Sequence, residues 1–558
     1  MPDSILRKDF LRGALGVPLL LAGRGRSQTP SASADELGKY FAKKRYNPAP
    51  LPQWQAVRDK LPAPIYESRP DWIAMYWKSW EIAFRNFHEP APDSGFVSQF
   101  IDAAFNANIF LWDSCFMTMF CNYAHPLVPG IATLDNFYAK QHADGEICRE
   151  IVRSTGVDFP QWVNSENRPL FSRWGKEPST PNVPYDVVYR GRPAPKQNPK
   201  LTLDALNHPI LAWAELESYR MTGDKARLAI VWEPLVRYYE ALREYLRQGN
   251  GLYMTDWASM DNSTRNVWLD RGGTGIDISS EMVLFGRQLA RIAGIQGQPE
   301  KADRFVSDAE RLAGIINKAM WDPKRRFYFD LTLDGKRAPV KTIAGFWPLI
   351  ARVASRDQAA ALAAELENPK TFNRPHRVPT LAADEPGYDP AGGYWRGSVW
   401  APTDTMVMRG LENYGYSVLA REIALNHLNR AAQVFEKTGT IWENYAPDSV
   451  APGKPAKQDF AGWSAIGPIL YLIEYAIGLR ADAPANSLAW SLTPGVRQGC
   501  ERFRFNGHVT SLVAKPLPGT PARFRVEVES DGSYALHLAS GDAKKEFAVR
   551  KGRQEIEI

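Results

Sequence analysis

Six short groups along the chain combine carboxyl, amide and indole side chains in a pattern suited to chemistry on a sugar. The first is the Asn108 to Ser114 run with Trp112 and Asp113, and the second is Gln141 to Gly145 with Gln141 and Asp144. The third, Asp256 to Arg265, carries Asp256, Trp257, Asp261 and Asn262. The fourth, Gly393 to Pro402, carries Tyr394, Trp395, Arg396 and Trp400; the fifth is Trp442-Glu443-Asn444-Tyr445, and the sixth ends on Trp463. A Trp adjoins an Asp or Glu in three of the six. Indole faces cover the apolar C–H face of a pyranose ring while carboxylates and amides take its hydroxyls. His208, in Asn207-His208-Pro209 ahead of an expected helix, is a further candidate for binding sugar hydroxyls.

Hydrolysis of a glycosidic bond needs two carboxyls in different environments, one to protonate the leaving oxygen and one to activate water or attack carbon. Asp261 and Glu443 each have a large apolar or aromatic neighbour in sequence, and burial against it would raise a carboxyl pKa by desolvation. Asp113 and Asp256 compete for the same roles, and separation along the chain does not choose among the four.

These groups need a scaffold, and the sequence of 558 residues is long enough for one large domain with attachments. With 44% hydrophobic and 23% charged residues it has the composition of a folded globular protein, so intrinsic disorder is excluded. The formal charge of +6 falls to +3 without the first 34 residues, which gives no field for nucleic acid. Four Cys without CxxC spacing exclude a zinc ribbon or a disulfide scaffold. Eight scattered His without a His-x-x-x-His pair predict no catalytic metal, and no cofactor is expected.

From about residue 71 to 479 the periodicity is helical, with apolar residues near i, i+3, i+4 and i+7 in segments such as 72–87, 228–248, 301–320 and 417–438. Long Gly/Pro-rich connections separate them at 177–198, 256–275, 368–393 and 445–459, and connections of that length inside a compact region are usually functional. About twelve helices with alternating long and short connectors predict an (α/α)6 toroid at 71–482, its long loops gathered at one end. After residue 483 short alternating segments predict strands and a small C-terminal β-sandwich at 483–558. Residues 35–70 read as an arm or linker. Residues 1–34 have a basic start, an 11-residue apolar core from Gly13 to Gly23 and a small-residue end, the parts of an export signal with a twin-arginine-like Arg-Lys pair. That core is too short to span a bilayer and no later segment is long enough. A periplasmic or secreted chain with no membrane after signal removal is expected, as a monomer or small homo-oligomer.

The chain resembles the trehalase-like inverting glycosidases, the clan joining glycoside hydrolase families 37 and 63 with its bacterial mannosylglycerate-hydrolase-like members. Trp112-Asp113-Ser114 resembles the family's Trp-Asp-Ser/Thr segment, and Ser259-Met260-Asp261-Asn262-Ser263 the segment whose Asp is the general acid. Gly393 to Pro402 resembles its Gly-Tyr-Trp-Arg-Gly-Pro-Ile/Val-Trp strip, with Ser398 where the strip has Pro. Ala258-Ser259 stands where the acid segment usually has Ser-Gly. Glu443-Asn444-Tyr445 resembles the segment whose Glu is the general base. The resemblance, over roughly residues 70–480, implies an (α/α)6 toroid and an inverting hydrolase of an α-linked glucoside or mannoside. Asp261 would then be the acid and Glu443 the base, with Trp112, Asp113, Gln141, Trp395, Arg396 and Trp400 around the reacting sugar. A polysaccharide lyase or phosphorylase on the same toroid, and a non-catalytic carbohydrate-binding protein, are the alternatives.

Overall fold

The computed structural model describes residues 37–104, 106, 108–159, 208–255, 260–269 and 273–558. The expected export signal, the connection at 177–198, Asp256 and Trp257 lie outside the described residues. The body of the chain is helical, with a β-rich unit at its C-terminal end.

The main helices are α1 Pro70–Ala83, α2 Leu111–Cys121, α3 Thr133–Ala139, α4 Leu211–Thr222, α5 Lys225–Leu246 and α6 Ile276–Ile295. They continue with α7 Asp303–Ala319, α8 Trp347–Ile350, α9 Arg356–Glu367, α10 Ala401–Glu412, α11 Ser417–Thr438 and α12 Gly467–Ile477. Two kinds of helix are present. In α7 the buried side chains are Phe305, Ala309, Leu312, Ala313 and Ile316, a stripe on one face with the rest in water. In α2 and α12 every residue is buried, so both run through the interior with no polar face. α12 is a wide i→i+5 helix that ends at Gly478 in the left-handed region.

The expected helices are found with shifted ends, except that 343–354 is a 3-10 turn followed by the four-residue α8. Two helices were not expected. They are α2 and α3, and Trp112 and Asp113 of the first group lie in the first turn of α2. With every residue of α2 buried, the alternation of apolar and polar positions that marks a helix is lost.

Two sheets form the β-rich unit. The strands are β1 Ala63–Tyr66, β2 Leu479–Asp482, β3 Ser487–Leu492, β4 Gln498–Phe505, β5 His508–Leu517, β6 Thr520–Ser530, β7 Tyr534–Ser540, β8 Ala543–Val549 and β9 Gly552–Glu557. One sheet runs β1-β4-β5-β6-β9, and the other β8-β7-β3-β2. Their inner faces meet at Phe505, Thr510 and Tyr534, where the last two hydroxyls lie 2.9 Å apart. The segment read as a linker thus supplies β1 to the edge of the C-terminal sheet, with Ala63 opposite Glu501. β2 begins just before the expected boundary at residue 483.

The two units join across a buried ionic cluster. Glu474 of α12 faces Arg220 of α4, Arg409 of α10 and Arg480 of β2, with Arg409 Nη1 2.7 Å from Glu474 Oε2. The arginines hold the Glu474 carboxyl well below its usual pKa, against the opposing effect of burial.

Candidate active site

Each functional group arrives on an element whose position has a visible cause. The two-residue pairing of Ile109–Phe110 with Glu150–Ile151 fixes the entry to α2, and Leu111 N–H donates to Arg149 O at 2.9 Å. This brings Arg149 near the first turn of α2 and its Asp113. The loop bearing Asp261 is held from below by Arg265, whose guanidinium meets Asp277 (2.5 and 3.0 Å) and Asp330 (3.0 Å), all buried. Asn266 Nδ2 also donates to the Met260 and Asp261 carbonyls at 3.0 and 3.3 Å.

Asn262 clamps this loop to the Gly-rich strip. Its Nδ2 donates to Gly393 O at 3.0 Å, and its Oδ1 accepts from Trp395 N–H at 2.9 Å. The strip turns tightly there: Gly393 has φ +53° and Tyr394 itself φ +63°, a conformation that L residues adopt at a cost. The turn aims Tyr394 at Glu443, with Tyr394 Oη donating to Glu443 Oε1 at 3.0 Å. Lys457 N–H donates to Glu443 Oε2 at 3.0 Å, while Trp463 Nε1 and Ser464 Oγ donate to the Glu443 carbonyl at 3.1 and 2.8 Å. Glu443 is buried and its carboxylate is fixed through both oxygens.

Aromatic rings surround these carboxyls. Trp395 and Trp400 stack with centroids 4.4 Å apart and planes 9° from parallel, and Tyr394 meets Trp400 edge-on at 4.9 Å. Trp463 lies 5.6 Å from Trp400 and 6.0 Å from Trp112, and Trp112 is 6.5 Å from Trp395. The indole N–H groups of Trp112 and Trp400 and the Oδ1 of Asp113 are buried without a hydrogen-bond partner among the described residues.

Burial pushes the Asp261 carboxyl up to about 7, with the Glu443 charge adding to the rise and Arg149 opposing it. Asp113 is raised to about 7 by the same main cause, again opposed by Arg149. Asp261 keeps some contact with solvent, whereas Asp113 is 5% exposed. An acid that stays protonated near neutral pH and can be reached from outside is suited to proton donation.

The expected site residues divide. Asp113, Asp261, Glu443, Trp112, Tyr394, Trp395, Trp400 and Trp463 come together. His208 borders the group, its ring 5.7 Å from Trp112 and its Nδ1 2.7 Å from Glu281. Tyr445 is buried behind Glu443, its backbone laddered with Val399. Asn262 spends its amide on the clamp, and Arg396 is 39% exposed and 3.6 Å from Asp389 of its own turn. Gln141 donates to Gly145 O and Pro234 O at 2.8 and 2.9 Å, and exposed Asp144 accepts from Tyr245 Oη at 3.3 Å, so both tie the loop at 141–145 to α5. Arg149, Lys457 and the Arg265 anchor were not singled out in the sequence. Arg149 stands four residues after Gly145 and could have been found only by pairing the strands around it.

Comparison with known proteins gives the same family. The model of the mannosylglycerate hydrolase MGH1-like glycoside hydrolase domain matches residues 159–464. A mannosylglycerate hydrolase of Thermus thermophilus is 37% identical over 135 residues, 24% of this chain and 31% of that protein. A periplasmic trehalase of Salmonella agona is 24% identical over 195 residues, 34% of this chain and 33% of that protein. These matched stretches span about a third of either relative. The solved structure of a family 63 mannosylglycerate hydrolase from Thermus thermophilus in complex with glucose aligns with a TM-score of 0.52 at 20% identity. That alignment covers 71% of this chain and 99% of that one. The trehalase-like resemblance is borne out: the chain belongs to the mannosylglycerate hydrolase MGH1-like glycoside hydrolase family, and with it to the glycosidases.

Proposed function

We propose that the protein is an inverting glycoside hydrolase acting on an α-linked mannoside or glucoside. Asp261 is the general acid and Glu443 the general base. The observation that carries this reading is the unequal pair of carboxyls inside one aromatic enclosure. Asp261 is held neutral to about pH 7 by burial and by the Glu443 charge, while Glu443 is oriented by Tyr394 Oη and Lys457 N–H. Asp261 protonates the glycosidic oxygen, and Glu443 removes a proton from water attacking the opposite face of the sugar. Inversion needs roughly 6.5–9.5 Å between the two carboxyls to admit that water. Asp113 and Trp112, which keep slight exposure, take sugar hydroxyls, and fully buried Trp400 backs the Trp395 ring by stacking.

The architecture of this reading is the (α/α)6 toroid, with all-buried helices such as α2 and α12 inside and one-faced helices such as α7 outside. The reaction needs no metal electrophile. The leader at residues 1–34 and the name of the periplasmic trehalase relative support action in the periplasm. Among the described residues no helix is long and apolar enough to cross a membrane. The test is NMR of the first-formed anomer across a panel of α-mannosides and α-glucosides. An initial β-anomer supports inversion, and an initial α-anomer refutes it.

A further inference from the structure

The scatter of His in the sequence conceals a cluster that the fold assembles behind the base segment. Asp404 lies in the first turn of α10, His427 in the middle of α11, and His376 on the connection after α9. All three side chains are buried. His376 Nε2 is 3.2 Å from His427 Nδ1, which is 2.9 Å from Asp404 Oδ2. The three atoms lie within 4.8 Å of one another.

Hydrogen bonds satisfy this arrangement poorly. A ring nitrogen carries either one hydrogen or one lone pair. If His427 Nδ1–H donates to Asp404, it serves His376 Nε2 only as a shared, bifurcated donor. If it accepts from His376 Nε2–H, Asp404 has to be protonated. Asp404 Oδ1 is also buried without a partner, leaving the carboxylate a second oxygen to offer. Two imidazoles and a carboxylate converging in a dry interior are a donor set for zinc or a similar transition metal. Bonds of about 2.0–2.1 Å at tetrahedral angles put ligand atoms roughly 3.3 Å apart, against 3.2 and 2.9 Å for two of the three pairs here.

We propose that His376, Asp404 and His427 form a structural site for one divalent transition-metal ion, zinc by ligand type. The site joins α10 and α11 to the connection after α9 and backs the loop that carries the base. His376 N–H donates to Pro447 O at 2.7 Å, and the His376 and His427 rings lie 5.6 and 5.8 Å from Tyr445, two residues beyond Glu443. Gly467 makes room for the far side of the His427 ring, where a Cβ would come within 2.9 Å of Nε2. The ion touches neither Asp261 nor Glu443, so its work is to hold the backing of the base segment rather than to polarise substrate.

Metal analysis and cobalt spectroscopy of the full chain test this. Protein purified from zinc-supplemented cells is expected to carry about one zinc per chain. Chelator-stripped protein refolded with cobalt(II) chloride is expected to show the visible absorption of a four- or five-coordinate ion. His376→Gln changes a residue outside any helix. It is expected to bind cobalt at least tenfold more weakly while circular dichroism remains that of the wild type. Folded wild-type protein that retains no zinc and develops no cobalt spectrum overturns the proposal, as does a His376→Gln protein that binds cobalt like the wild type. If the variant does not fold, the wild-type cobalt spectrum alone decides.

Discussion

Two regions of the molecule bury carboxyl groups and arrive at opposite electrostatics. At the junction of the helical body and the sheets, Glu474 faces Arg220, Arg409 and Arg480, and its carboxyl is held well below the usual range. In the candidate active site, Asp113 and Asp261 share the influence of one cation, Arg149, amid tryptophans, and both rise to about 7. Burial acts in the same direction in both places. Among the described residues the nearby cations decide the outcome: three arginines, shared with Glu217 and Glu412, hold Glu474 as an anion, whereas Arg149 does not offset burial at Asp113 and Asp261. The first arrangement is suited to joining two units and the second to chemistry.

The largest effect that separates the regions is on turnover. Glu443→Gln is expected to lower kcat by roughly 10²–10⁴ on every substrate, because water has to be activated in each case, with melting temperature little changed. Glu474→Gln is expected to do the reverse. Removing the buried charge that three partly buried arginines share with Glu217 and Glu412 costs about 3 kcal/mol in denaturant unfolding, with kcat of the folded fraction preserved. The sign with pH follows from the lowered carboxyl. Its contribution is present above its unfolded pKa and is lost as pH falls through the folded one, so wild type loses its advantage over Glu474→Gln in acid.

A smaller effect of opposite sign is expected at Asp113. Its raised carboxyl stabilises the fold fully below the unfolded pKa, and that contribution is lost as pH rises toward about 7. Asp113→Asn should therefore gain on wild type by on the order of 2–4 kcal/mol between pH 4 and 8, read from denaturant midpoints. An equal offset at every pH would break the comparison. The smallest effect is kinetic. Arg149 lowers both Asp113 and Asp261, so Arg149→Met should move the alkaline limb of kcat/KM upward by roughly half to one pH unit. That limb belongs to the coupled pair rather than to one residue.

The residues that could be read from the sequence were those whose type is rare and whose neighbours repeat a pattern. The Trp-carboxyl groups at 112–113 and 442–443 and the strip at 393–402 identified most of the enclosure, because indoles beside acids are informative without coordinates. One-faced helices such as α7 were legible through their period. α2 was not, since a helix buried all round shows no alternation. β1 was hidden because its partner strand is over four hundred residues away. The tie that Gln141 makes was hidden for a related reason: its Nε2 donates to the backbone of its own loop and of α5, and no spacing in the chain reveals that.

Asp261 is proposed to supply the proton. Its most direct test is the rate of Asp261→Asn on an ordinary α-glycoside and on the matching glycosyl fluoride, whose leaving group needs no strong acid. A loss of roughly 10²–10⁴ on the glycoside and a largely preserved rate on the fluoride are expected. Equal damage to both substrates would contradict it.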